Sequence, residues 1–140
     1  MTVQEFLKTE ADLDTNQRKN IAKQIVSNPD SKEEFMIFVK SITPMDELYA
    51  GMMDEVEKAT QLSSVEWSDI SCPTLAVHST IDIDVSIDHA ERLEKTIPNI
   101  QMEYVRAAGH FVWWGKEGEK VKKLTLHFFN RFNKHELKNE

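Results

Sequence analysis

The fold is decided by two stretches of the chain, CPTLAVHSTID at residues 72–82 and NIQMEYVRAAGHF at residues 99–111. In both, a turn residue precedes a short run rich in apolar side chains, which predicts strands at residues 74–78 and 100–106. Residues 86–97 between them have the spacing of an amphipathic helix. Because two strands joined by a helix lie parallel, with a right-handed crossover, we predict a parallel β-α-β unit.

Helices are predicted on both sides of this unit. Residues 16–27 and 46–61 carry apolar side chains at helical spacing, and residues 116–131 form a final helix. Ser31 begins a capping-box signal for one more helix, which Pro44 ends. The fold class is therefore α/β, with helices first and a β-α-β-α part after them.

Composition excludes several classes of protein. The chain has 140 residues and a formal net charge of −7, which disfavours a nucleic-acid partner. The sequence contains no run of about 18 apolar residues, so no membrane span is predicted, and residues 1–14 do not resemble a signal peptide. The single cysteine, Cys72, rules out an internal disulfide and fits a cytoplasmic location.

The chemistry is predicted at the carboxyl ends of the two strands, where functional groups of parallel sheets collect. The loop after the first strand holds Asp82 and Asp84, and the loop after the second holds His110. An acid beside a histidine fixes the tautomer of the imidazole and leaves its other nitrogen free to take a proton from a nucleophile. Asp82 is the predicted acid, and Asp84 is the runner-up, more readily explained as a solvated turn residue.

These features resemble the C-terminal part of the α/β-hydrolase fold family, the carboxylesterase- and lipase-like serine hydrolases. The resemblance covers a little under half of the chain. It is carried by these motifs: Cys72-Pro73-Thr74, His78-Ser79-Thr80-Ile81-Asp82 with Val85, His89-Ala90-Glu91-Arg92-Leu93, Ile97-Pro98-Asn99 and Ala108-Gly109-His110-Phe111.

The resemblance implies a partial α/β-hydrolase fold in two segments. Residues 1–66 correspond to the helical cap of the family, and residues 67–140 to the C-terminal β-α-β-α part. Asp82 corresponds to the triad acid and His110 to the triad base, in the family order of serine, acid, histidine. The implied reaction is hydrolysis of an ester-like or other acyl bond, with no cofactor and no metal.

One departure from the family is large. The nucleophile of the family lies in a Gly-x-Ser-x-Gly elbow, but the 4 glycines of this chain stand at positions 51, 109, 115 and 118 and none flanks a serine in that pattern. We therefore expect a fragment of a longer protein, half of a split enzyme, or a stand-alone domain. Catalysis by this chain alone is not expected, and the substrate is left open.

Other residues admit a second interpretation. His78, Asp82, Asp84 and His89 could be metal ligands, but their spacing matches no known site. Cys72 is expected to be a small buried thiol. Trp113 and Trp114 either line an apolar acyl or aryl pocket or pack against the last helix. Met45, Met52 and Met53 either line a lid or pack between helices. Packing is the favoured interpretation in both cases.

A two-stranded parallel sheet has too few strands to stand alone. We therefore expect a homo-oligomer, or a partner that completes the sheet and supplies the nucleophile. The alternative function is a non-catalytic oligomerising or protein-binding domain descended from a hydrolase.

Overall fold

A computed structural model describes residues 2–62 and 65–136 of the chain. Its elements run in the order α1 (Val3–Glu10), α2 (Thr15–Ser27), α3 (Pro29–Ser41), α4 (Met45–Gln61), a 3₁₀ turn (Trp67–Asp69), β1 (Thr74–Ser79), α5 (Ile87–Thr96), β2 (Ile100–Val105) and α6 (Gly115–Glu136). Among these residues, no helix is both long and apolar enough to cross a membrane.

The predicted parallel β-α-β unit is confirmed. Strands β1 and β2 pair in parallel, in register from Thr74 opposite Ile100 to Ser79 opposite Val105. Helix α5 begins after Ser86, whose side chain accepts a hydrogen bond from the Asp88 N–H, and it packs against both strands. The unit therefore brings the loops that follow β1 and β2 to the same edge of the sheet.

Helix α3 begins three residues earlier than predicted, so the proposed cap at Ser31 is wrong. The Asn28 side chain caps the helix by accepting a hydrogen bond of 3.1 Å from the Ser31 N–H, and Pro29 occupies the first turn. Asparagine is a strong capping residue, and proline suits the first helical position, where no N–H is needed. Ser31 is instead buried inside the first turn.

The core lies between the N-terminal helices and the segment after β2. Phe6 and Leu7 of α1 and Phe35 of α3 pack around Trp114, which is only 2% exposed. Phe111 stacks on Trp114 with ring centroids 4.7 Å apart, and other aromatic rings meet these edge to face. The core therefore anchors the loop that carries His110 to helices from the first part of the chain.

Two expectations about burial are wrong. Cys72 is exposed, because it precedes β1 and no described element covers it. Met52 and Met53 are 45% and 44% exposed, because α4 makes no extensive packing contact with another described element. The side chain of Met45 lies outside the described part of the structure.

Candidate active site

The loop after β1 holds the Asp82 carboxylate in a fixed orientation. Its Oδ1 atom accepts hydrogen bonds of 2.9 Å from the backbone N–H groups of both Asp84 and Val85. The Asp82 N–H donates to the Ser79 carbonyl oxygen at 3.2 Å, so the chain turns tightly at the end of the strand. The carboxylate is buried, with 3% of the side chain exposed. One carboxylate oxygen is thus held by the backbone, and Oδ2 is left for another partner.

That partner is His110, whose Nδ1 atom lies 3.1 Å from Oδ2 of Asp82. A carboxylate can only accept a hydrogen bond, so Nδ1 carries the proton in this arrangement. The imidazole is 45% exposed, and its Nε2 atom has no hydrogen-bond partner among the described residues. The structure therefore brings the predicted acid and the predicted base together, with the imidazole partly exposed.

Opposing effects act on the ionisation of Asp82. Burial raises the pKa of the carboxyl group, but hydrogen bonds from the backbone of Val85 and Asp84 and from His110 lower it by more. The net result is a pKa below the usual range. Asp82 is therefore ionised at neutral pH and able to stabilise a protonated His110.

The turn that presents His110 depends on Gly109 and on buried neighbours. Gly109 has a φ of +63°, a backbone region that residues with a Cβ atom rarely adopt. Ala107 and Ala108 before it are buried, and the Phe111 N–H closes the turn on the Ala108 carbonyl oxygen at 3.4 Å. Since Phe111 and Trp114 belong to the core, the turn is anchored on both sides while the imidazole stays accessible.

The other candidate residues lie apart from this pair or play a lesser part in it. Asp84 contributes its backbone N–H to Asp82, and its own side chain is exposed. His89 is on the exposed surface of α5, and His78 lies within β1 opposite Tyr104. No group of three or more His, Cys, Asp or Glu side chains suited to a metal ion occurs within residues 2–62 and 65–136.

The two tryptophans take different positions. Trp114 packs in the core against α1 and α3, and Trp113 is 44% exposed beside Phe111. A cavity of about 210 Å³ lies between α2 and the start of α6, lined by Gln24, Arg106 and Trp114 among others. Neither Asp82 nor His110 lines it, so this cavity is not positioned to bind a substrate of the pair.

Residues 10–12 are the part of the site that the sequence did not reveal. Ala11 forms an isolated antiparallel bridge with Asp82, and Gly109 packs against the backbone of Glu10. A single bridge has no sequence pattern of its own, unlike a strand or a helix. In the sequence, only Gly109, directly before His110, indicates that another backbone segment lies close to this turn.

The comparisons with known proteins agree with this architecture. The chain matches the structure of an alpha/beta hydrolase fold protein from Nakamurella multipartita with a TM-score of 0.76 and 21% sequence identity, over 88% of this chain and 43% of that one. Neither the models of known protein families nor the curated proteins include a match to the chain. The chain therefore has an α/β-hydrolase fold over the part it spans, which is less than half the length of that similar protein.

Proposed function

We propose that the chain supplies the acid and the base of a serine-hydrolase catalytic triad. Asp82 orients and stabilises the imidazole, and His110 is the general acid and base. The observation that carries the proposal is the 3.1 Å contact between Nδ1 of His110 and Oδ2 of a buried, ionised Asp82. A pair in this arrangement, with a partly exposed imidazole, has the geometry of the acid–base half of a triad.

The proposed reaction is hydrolysis of an ester-like acyl bond. Nε2 of His110 takes the proton of a serine hydroxyl as its oxygen attacks the acyl carbon, and then gives this proton to the leaving alkoxide. A water molecule next attacks the acyl-serine, passing its proton to the same nitrogen, which returns it to the serine. Asp82 stays ionised throughout and balances the transient positive charge on the ring.

The proposed nucleophile comes from outside these 140 residues. No described hydroxyl group lies within hydrogen-bond distance of the His110 ring, and no serine of the sequence stands in a Gly-x-Ser-x-Gly elbow. The chain alone is thus proposed to be inactive.

The single thiol, Cys72, is exposed and unpaired, which suits the reducing cytoplasm in which we expect the protein to act.

We further propose that residues 1–66 form a cap-like segment and residues 67–140 the C-terminal part of the hydrolase domain. Helix α4 is the part of the segment best suited to face a substrate or the nucleophile-bearing part. Its apolar side chains are about half exposed and include Leu48, Tyr49, Met52, Met53 and Val56. Helices α1 to α3 instead pack around Trp114, so in this proposal they support the base while α4 covers the site.

The proposal is tested by reconstitution. The chain alone is assayed with a short p-nitrophenyl ester and a serine-directed phosphonate, and neither turnover nor labelling is expected. It is then co-expressed with the segment that the DNA directly upstream of Met1 encodes. Ester hydrolysis is expected if that segment contains Gly-x-Ser-x-Gly. The activity should vanish in His110→Ala and persist in His89→Ala, a matched change of an exposed histidine.

Two results would count against the proposal. If the chain alone hydrolyses the ester and His110→Ala abolishes that activity, the nucleophile lies within the chain. If the reconstituted enzyme is active and keeps its activity in His110→Ala, then His110 is not the base.

A second candidate function is a non-catalytic oligomerising domain, favoured by the exposed apolar side chains of α4 and α6. Helix α4 presents exposed apolar residues among acids, whereas exposed Leu126 and Phe129 of α6 lie on a helix where Lys and Arg outnumber Glu. We propose that α4 of one copy packs on α6 of a second copy, because their charges are complementary. Sedimentation velocity at micromolar concentration should then show a dimer that Phe129→Glu dissociates. A monomer under these conditions contradicts this candidate.

A further inference from the structure

Residues 10–12 cross between the two loops that carry Asp82 and His110. On one side, the Asp12 N–H donates a 2.9 Å hydrogen bond to the Ile81 carbonyl oxygen, and the Ile83 N–H donates to the Glu10 carbonyl oxygen at 3.4 Å. These bonds flank Asp82, which is bridged to Ala11. The backbone of the acid loop is therefore held by a segment that lies far from it in the sequence.

The same segment touches the turn of the base. A Cβ atom placed on Gly109 would lie 2.0 Å from the Glu10 carbonyl oxygen and 2.8 Å from Cβ of Ala11. These distances show that the backbone of Gly109 is already in close contact with residues 10 and 11. Gly109 precedes His110 directly, so any displacement of this contact moves the imidazole.

The segment is itself firmly anchored. Helix α1 precedes it, with Leu7 fully buried in the core, and the Ala11 N–H donates to the Leu7 carbonyl oxygen at 3.2 Å. Ala11 is 3% exposed and packs with Leu13 and Ile81 in a small cluster of its own. The position therefore has no room for a larger side chain without movement of a neighbour.

We infer that Ala11 is a positioning residue for the pair. Its backbone fixes the loop of Asp82, and its small side chain sets how close the Gly109–His110 turn comes to that loop. The inference rests on the proposed function, because the distance between Asp82 and His110 matters for activity only if the two residues act as acid and base. The His110–Asp82 contact is one hydrogen bond of 3.1 Å on a ring that is 45% exposed, so a small displacement of the turn breaks it.

The test measures the tautomer of the His110 imidazole in the intact chain. Nitrogen-15 shifts of the neutral ring report which nitrogen carries the proton. The wild type is expected to carry it on Nδ1. In Asp82→Asn, the backbone N–H groups of Asp84 and Val85 retain the amide oxygen, so the amide NH₂ faces Nδ1 and the proton moves to Nε2.

Ala11→Val is expected to shift both ring resonances toward those of Asp82→Asn. The matched control is Ala22→Val, which enlarges another buried alanine, 6% exposed, in α2. Both variants should unfold at lower urea concentration, but Ala22→Val should keep the wild-type tautomer. Ala11→Gly, which keeps the backbone bridge and adds no bulk, should keep it too. If Ala11→Val does not fold, Ala11→Cys and Ala22→Cys replace the pair, since each adds a single heavy atom.

The two possible failures are distinguishable. If Asp82→Asn changes the tautomer and the enlarged Ala11 variants do not, the positioning role of Ala11 is wrong and the proposed function stands. If Asp82→Asn leaves the tautomer unchanged, Asp82 does not orient His110, and the proposed function itself is overturned. If Ala22→Val shifts the ring resonances as much as Ala11→Val does, then a general loss of packing, and not the position of Ala11, controls the tautomer of the imidazole.

Discussion

Gly109 lies so close to Glu10 that no side chain fits between them. A Cβ atom on Gly109 would come within 2.0 Å of the Glu10 carbonyl oxygen, a backbone atom that cannot rotate away. A second reason for glycine at position 109 is its φ of +63°, which residues with a Cβ atom rarely adopt. The turn that presents His110 is thus fixed by close backbone packing, which makes this glycine a sensitive point of the fold.

We expect Gly109→Ala to destabilise the protein strongly. The left-handed backbone alone costs a residue with a side chain about 1–2 kcal/mol, and forcing a methyl group into occupied space adds about 1–3 kcal/mol. Urea unfolding followed by circular dichroism measures the loss. The matched control is Gly51→Ala in α4, where an added Cβ atom would meet nothing within 4 Å beyond the adjoining backbone of its own helix. There, alanine should stabilise the helix by up to about 1 kcal/mol. Equal effects at the two positions would contradict the described packing.

Adjacent tryptophans should differ sharply in their contribution to stability. Trp114 is 2% exposed and Trp113 is 44% exposed. Trp114→Ala should lower the free energy of unfolding by about 3–5 kcal/mol because it leaves a cavity in the core. Trp113→Ala removes edge contacts with neighbouring rings and should cost roughly 1 kcal/mol.

The indole N–H of Trp114 adds a finer test. This buried group has no hydrogen-bond partner among the described residues, and an unsatisfied buried donor costs about 1–3 kcal/mol. Trp114→Phe keeps an aromatic ring and removes the unsatisfied group, so it should cost less than half as much as Trp114→Ala. A loss as large as that of the alanine variant would show that the indole N–H is satisfied after all.

The sequence was informative wherever a repeating pattern or a strand end controls the structure. Helical spacing of apolar residues located α2, α5 and α6, and the ends of two parallel strands located Asp82 and His110. These features depend on residues close together in the chain. Asn28 and Ser31 show the limit of this approach, because either residue could cap the start of α3. In the structure Asn28 is the cap, and Pro29 occupies the first helical position.

Contacts between distant segments could not be predicted in this way. The bridge between Ala11 and Asp82 joins residues that have no common pattern, and the burial of Trp114 by α1 and α3 depends on how helices pack rather than on where they begin. The exposure of Met52 and Met53 depends likewise on what covers α4. A sequence pattern identifies an apolar helix face but does not identify its neighbour.

The hydrogen bond from Tyr104 to Glu94 should appear in the alkaline titration. The Tyr104 hydroxyl donates to a Glu94 carboxylate oxygen at 2.8 Å, and this bond raises the pKa of Tyr104 to about 12. The raised pKa favours the neutral phenol in the folded state, so the stabilisation is complete below about pH 10 and is lost as the pH rises through about 12. In the Glu94→Gln variant, the Tyr104 hydroxyl should therefore ionise at lower pH.

The measurement uses the absorbance of tyrosinate. The chain has 2 tyrosines, so a Tyr49→Phe background leaves Tyr104 as the sole reporter. Glu91→Gln is the control, because Glu91 acts on Tyr104 only as a nearby charge and its removal should lower the pKa by less. A titration that Glu94→Gln does not move would show that the two side chains are not bonded in solution.

Asp82 should make stability depend on pH in the acid range. Its folded-state pKa is depressed, so its contribution is complete above the unfolded value of about 3.9 and is lost as the pH falls through the folded value. At pH 7, Asp82→Asn should cost roughly 1.5–3 kcal/mol, since the backbone hydrogen bonds to a charged carboxylate become bonds to a neutral amide and the favourable bond from His110 is lost. This difference from wild type should shrink steadily in urea unfolding experiments below about pH 4. Asp84→Asn, which removes an exposed carboxylate, should differ from wild type by less than about 0.5 kcal/mol at every pH. If the difference in unfolding free energy between wild type and Asp82→Asn stays constant on acidification, Asp82 has an ordinary pKa and no stabilising interaction with His110.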